Sequence, residues 1–142
     1  MVAALYCRKY NPKDLDTIRQ LILLLEKNNF SLIVYEKFLN ELKGNVQLPT
    51  SVSSFSKTED LKNKTDYVFS LGGDGTLLDT ISFVRDSNIP ILGINIGRLG
   101  FLASIGKNEI EEAIDCLKKN SFVADKRTML RLQSNKRSEE HT

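Results

Sequence analysis

The sequence predicts an α/β fold, a doubly wound parallel sheet with helices on both faces. Three observations predict it. Apolar runs alternate with amphipathic stretches along the chain. The runs are continuously apolar, as strands buried on both faces are. Two glycine-bearing loops directly follow two of these runs, at the carboxyl ends where such folds place their ligands. At 142 residues the chain has the length of one domain.

Residues 2–7 form a short apolar run and read as the first buried strand. Asn11-Pro12 breaks it and opens a helix. Leu15, Ile18, Ile22 and Leu25 recur at spacings of three and four, one helical face, and Leu21, Leu23 and Leu24 widen it into a heavily buried helix. Asn28-Asn29 ends that helix. Residues 31–35, rich in β-branched and aromatic side chains, are the second strand. Phe38, Leu39 and Leu42 predict a short helix stopped by Gly44. Residues 47–64 are rich in Ser, Thr, Lys and Asn without a sustained period, which predicts a variable loop with one helical turn.

Residues 67–71 are the third strand, and glycines follow at once. Leu77, Leu78, Ile81 and Val84 mark a helix over 75–86, punctuated by Asn88 and Pro90. Residues 89–94 are the fourth strand, followed by the loop 95–100. Ile110, Ala113, Ile114 and Leu117 give an amphipathic helix over 107–117. Residues 122–132 have extended character, and 133–142 are polar and featureless. The expected organisation is one α/β domain over 1–132 and an unstructured tail over 133–142.

Composition narrows the function. Apolar residues at 41% and charged residues at 27% exclude an intrinsically disordered chain. Twenty Lys and Arg against 18 Asp and Glu leave a net charge of +2, no footprint for nucleic acid. The longest apolar stretch, 21–25, is far too short to span a bilayer, and the N-terminus lacks a signal-peptide pattern. Cys7 and Cys116 have no metal-type spacing and read as free thiols of a cytoplasmic protein. The lone histidine, His141, sits in the polar tail, which disfavours histidine triads and most zinc enzymes. No protein metal ligand is assigned.

Two loops carry chemistry. The first is Gly72-Gly73-Asp74-Gly75-Thr76, between a buried strand and a helix. Its glycines free the backbone for positive φ and close ligand approach, and Gly73 in particular is expected to need one or the other. Backbone amides at the helix N-terminus suit an anion. The loop is neither the dinucleotide GxGxxG fingerprint nor a Walker A loop. Asp74 distinguishes it. A carboxylate repels phosphate, so it suits a loop that also accepts a hydroxyl proton, binds a ribose hydroxyl or holds Mg²⁺. The structural alternative is a turn in which Asp74 and Thr76 cap the helix. In the second loop, Asn95 can hydrogen-bond a polar ligand edge, Gly97 and Gly100 allow close approach, Arg98 can reach phosphate, and Phe101 offers a ring to a base.

Taken together, Leu-Gly-Gly-Asp-Gly-Thr-Leu-Leu at 71–78 and Ile-Pro-Ile-Leu-Gly-Ile-Asn-Ile-Gly-Arg-Leu-Gly-Phe-Leu-Ala at 89–103 resemble the NAD kinase family. These are ATP- or polyphosphate-dependent NAD 2′-phosphotransferases. The flanking elements from Val2 to about Met129 resemble that family's N-terminal domain. Diacylglycerol-kinase-like and phosphofructokinase-like proteins share Gly-Gly-Asp-Gly but do not pair it with the second loop. The resemblance implies NADP formation from NAD, with ATP as donor and Mg²⁺ or another divalent metal bridging its phosphates. Asp74 corresponds to the proposed general base on the ribose 2′-hydroxyl. Asp74 and Gly75 correspond to NAD contacts, Gly72 and Gly73 to the phosphate-proximal turn, and Phe101 to the aromatic lining of the NAD pocket. Homo-oligomers are implied for full-length members.

Two departures qualify the match. Asp79 stands where some members carry a basic residue near phosphate, so that contact is not carried over. Nothing after Leu132 resembles the family's Asn-Glu motif or its β-rich C-terminal domain, and Asn135 is followed by Lys136. The expectation is a truncated, frame-shifted or partial gene product, inactive by itself. The other readings are a non-catalytic nucleotide-binding fragment and a Gly-Gly-Asp-Gly kinase acting on lipid or sugar.

Overall fold

The computed structural model describes residues 1–96, 105–119, 122–124 and 130–132. Five parallel strands form one sheet: β1 (Val2–Tyr6), β2 (Ser31–Tyr35), β3 (Ser53–Phe55), β4 (Tyr67–Leu71) and β5 (Ile91–Ile94). Their order is β3-β2-β1-β4-β5, with Ala3 opposite both Leu32 and Tyr67 and Leu71 opposite Ile94. The chain winds outward from β1 to β3, then crosses back to lay β4 on the other side of β1. That reversal makes the carboxyl ends of β1 and β4 the topological switch point, where such sheets open a ligand crevice.

Alternate strand residues face opposite ways, so two cores result. Ala3, Leu5, Leu32, Val34, Phe69, Leu71, Leu92 and Ile94 pack against α1 (Leu15–Lys27), α2 (Glu36–Leu42) and α4 (Ile110–Lys119). Ala4, Tyr6, Ile33, Val68 and Ile91 pack on the other face with Leu77 and Val84 of α3 (Asp74–Val84) and with Leu61. The helices on both faces agree with the predicted class.

Several boundaries differ from expectation for identifiable reasons. Residues 12–14 are a 3₁₀ turn rather than the start of α1, closed by the Asp14 carboxylate accepting from the Asn11 amide at 3.0 Å. Leu23 does not widen the buried face of α1: it is 64% exposed, because the helical rotation turns it away from the face of Ile18, Ile22 and Leu25. In α3 the buried stripe runs through Thr76, Leu77, Thr80 and Val84, and Leu78 is exposed. The loop expected over 47–64 contains β3, a three-residue edge strand paired with β2, besides the expected helical turn at Thr58–Asp60. Only Phe55 of β3 is buried, against the rings of Tyr35 and Phe83 at 5.6 Å. The stretch 122–132 contributes an antiparallel pair, β6 (Phe122–Ala124) and β7 (Leu130–Leu132). The tail at 133–142 lies outside the described residues. No described helix is long and apolar enough to cross a membrane.

Candidate active site

The turn after β4 is fixed from three sides. The Gly72 amide donates to the Ile94 carbonyl at 2.9 Å, tying the turn to the end of β5. The Leu77 amide closes onto the Gly73 carbonyl at 3.1 Å, which begins α3 immediately. Beneath the helix, Thr80 Oγ1 lies 2.8 Å from Ser70 Oγ and 2.9 Å from the Thr76 carbonyl oxygen. Each hydroxyl has one proton, so Thr80 donates to the carbonyl and accepts from Ser70. This pin joins the buried face of α3 to β4.

Positive φ falls on Gly72, at 145°, and not on Gly73, whose φ of −112° any residue adopts. A Cβ on Gly72 would lie 2.5 Å from Thr76 Oγ1, whereas one on Gly73 would meet nothing within 4 Å. The expected backbone demand on Gly73 is therefore corrected: the demand belongs to Gly72. The N-cap of α3 is Gly73, which has no side chain to cap with, and Asp74 is the first helical residue, half-buried at the positive end of the helix dipole.

Asn95 continues directly from Ile94, the residue that holds Gly72. Its amide donates to the Ile105 carbonyl at 2.8 Å, and its side chain is buried. Among the described residues no donor reaches its Oδ1. A buried acceptor without a donor costs about 1–3 kcal/mol. The structure brings Gly72, Gly73, Asp74, Gly75 and Asn95 to the carboxyl ends of adjacent strands. Gly97, Arg98 and Phe101 lie outside the described residues.

A second polar cluster borders the turn, and sequence reasoning missed it. Arg8, two residues beyond β1, forks onto Asp79 of α3, with Nε 2.8 Å from Oδ2 and Nη2 3.0 Å from Oδ1. Nη2 also donates to the Gly75 carbonyl at 3.3 Å, and the Tyr6 hydroxyl donates to Asp79 Oδ2 at 3.1 Å. Arg8 first, then Tyr6, hold the Asp79 carboxyl below the usual carboxylate range, while burial and Asp79 push the Tyr6 phenol well up. The available signal was the pair of cations Arg8-Lys9 just past the carboxyl end of the first strand. Neighbouring Cys7 is no nucleophile: burial pushes its thiol up to about 12.

A groove of about 610 Å³ lies on the far side of Asp79, lined by Tyr6, Lys57, Lys62, Phe83 and Arg85 among others. Neither Asp74 nor Asn95 lines it, so it is separate from the turn. Among the described residues, no three Asp, Glu, His or Cys side chains form a metal cage.

Comparison with known proteins agrees with this architecture. Residues 4–122 match the ATP-NAD kinase N-terminal domain. The NAD kinase of Christiangramia forsetii is 38% identical over 138 residues, covering 97% of this chain and 47% of that protein. The NAD kinase of Cytophaga hutchinsonii is 36% identical over 138 residues, covering 96% and 47%. The crystal structure of yeast NADH kinase complexed with NADH superposes with a TM-score of 0.71 at 21% identity, over 83% of this chain and 38% of that one. That likeness is one of fold. The chain spans about half the length of the curated relatives it matches.

Proposed function

The chain belongs to the NAD kinase family, and from that premise we propose that it is the half of such an enzyme that carries the phosphotransfer turn. The reaction is transfer of the γ-phosphoryl group of ATP to the 2′-hydroxyl of the NAD adenosine ribose. The bond from that hydroxyl oxygen to phosphorus forms, the bond to the bridging oxygen breaks, and ADP leaves. The observation that carries this reading is the junction of the two motifs: Gly72 bonded to Ile94, Asp74 opening α3, and the buried Asn95 acceptor beside them.

Phosphoryl transfer needs positioning and charge stabilisation more than covalent participation by the protein. The amides of the turn and the N-terminus of α3 suit the reacting phosphate. Asp74 accepts the hydroxyl proton. An ordinary aspartate has a pKa of about 3.9, so its work as a base depends on alignment with that hydroxyl. Asn95 Oδ1 accepts from a hydroxyl or amino group of the nucleotide. ATP would bring Mg²⁺ with it as the phosphate complex, and Asp74, which takes the proton, is not assigned to the ion. The ion supplies neutralisation of phosphate charge.

The test is NADP formation by the full-length protein with NAD, ATP and Mg²⁺, comparing Asp74→Asn with the parent. Asparagine keeps the shape and cannot take the proton, so kcat falls about 10²-fold or more. Circular dichroism controls for the fold. A variant that keeps most of its kcat removes Asp74 from the base role. Phosphorylation of a lipid or sugar in place of NAD overturns the substrate.

A further inference from the structure

We infer that Arg8 is a positioning residue of the phosphotransfer turn: held by Asp79, it grips the Gly75 carbonyl and sets the rotation of α3 that aims Asp74. The inference rests on the phosphotransfer reading and extends it to a strand outside both motifs. Gly75 and Asp79 are one helical turn apart, on one stripe of α3. The Arg8 guanidinium spans that stripe, bonding the Asp79 carboxylate through Nε and Nη2 and the Gly75 carbonyl through Nη2. A planar fork reaches both at once, which a lysine ammonium on a flexible stem does not.

The adjacent stripe of α3, Thr76 and Thr80, is pinned to β4 through Ser70. Buried Leu77 and Val84 seat the helix on the sheet, and this pin lies on its buried side, so the exposed edge of the first turn has no tie of its own to β1 except through Arg8. Two pins on neighbouring stripes, one to β4 and one to the end of β1, hold its rotation. Asp74 is the first residue of that helix and rotates with it. At position 75 a Cβ would lie 3.0 Å from Arg8 Nη1 and 3.5 Å from its Cζ, so the guanidinium packs closely over the first turn. Tyr6, donating to Asp79 from β1 itself, keeps the carboxylate turned toward Arg8.

The experiment has two readouts. In the full-length protein, Arg8→Ala lowers kcat by about 10²-fold through misplacement of Asp74, while KM for NAD and ATP stays within about threefold. Arg8→Lys recovers only part of kcat, because charge returns without the fork. In the 142-residue chain, Arg8→Ala speeds hydrogen exchange at the Leu77 amide, which closes onto Gly73, by about tenfold relative to the Val68 amide of β4. An unchanged kcat, a loss confined to KM, or unaltered Leu77 exchange each overturns the inference. Failure of the parent to make NADP instead defeats the functional reading, and Leu77 exchange then still decides whether Arg8 holds the turn.

Discussion

Three glycines crowd the turn, yet they answer to different physical demands. Gly72 carries positive φ against Thr76, Gly75 admits the Arg8 guanidinium, and Gly73 meets neither constraint. Gly72→Ala is expected to cost about 1–3 kcal/mol from backbone strain, and Gly73→Ala to leave stability unchanged; urea denaturation of both variants checks the pair. Equal losses would remove the assignment of strain to Gly72. The Arg8–Asp79 pair sets a pH dependence. The Asp79 carboxyl is held below its ordinary value, so the pair stabilises the fold above about pH 4 and loses that contribution as pH falls through the depressed value. The pair is partly solvated, so Asp79→Asn is expected to cost about 1 kcal/mol or less at pH 7, with the gap to the parent closing below pH 4. Denaturation at pH 7 and pH 3 measures it, and a gap that widens in acid would contradict the pairing. Asp74 and Asn95 were legible in the sequence because each sits in a glycine-rich loop directly after an apolar run. Arg8 was not. Its partner is 71 residues away, and an arginine after a strand carries no local pattern.

At the scale of elements, what reads clearly is what local burial dictates. β2 and β4 match their apolar runs residue for residue, because both faces of each strand are covered. β3 escaped notice because an edge strand of Ser-Ser-Phe with one buried side chain has no periodicity of its own. It is held by pairing with β2 and by the Phe55 ring, both long-range effects. The buried stripe of α3 misled for a related reason: Thr76 and Thr80 occupy core positions that a hydrophobic count assigns to Leu78 and Ile81. Their burial is tolerable because Thr80 and Ser70 satisfy one another. Thr80→Val leaves the Ser70 hydroxyl without its partner and is expected to cost about 1–3 kcal/mol. Pairing Thr80→Val with Ser70→Ala recovers part of that loss, since neither orphan remains. Chemical denaturation of the two single variants and the double variant measures the coupling, and additive losses would show that the hydroxyls do not act as a pin.

At the scale of the molecule, the sheet brings the turn after β4 to the switch point and sets the end of β5 beside it. The relatives it matches are about twice as long, so these 142 residues correspond to about half of each. Positioning is the larger part of what a phosphotransfer site contributes. Holding donor and acceptor in line accounts for about 7–11 kcal/mol of barrier reduction. If the proposed site needs surfaces on both sides of the crevice, a turn acting from one side leaves the ribose hydroxyl and the γ-phosphate poorly aligned. The 142-residue polypeptide by itself is therefore expected to fold its five-stranded sheet and to form NADP slowly or not at all. The assay is NADP production by the purified chain with NAD, ATP and Mg²⁺, beside the NAD kinase of Christiangramia forsetii, with circular dichroism confirming α/β structure. Turnover within about tenfold of that relative, a barrier difference of roughly 1.4 kcal/mol, would mean that this half alone aligns both substrates and that the crevice needs no second wall.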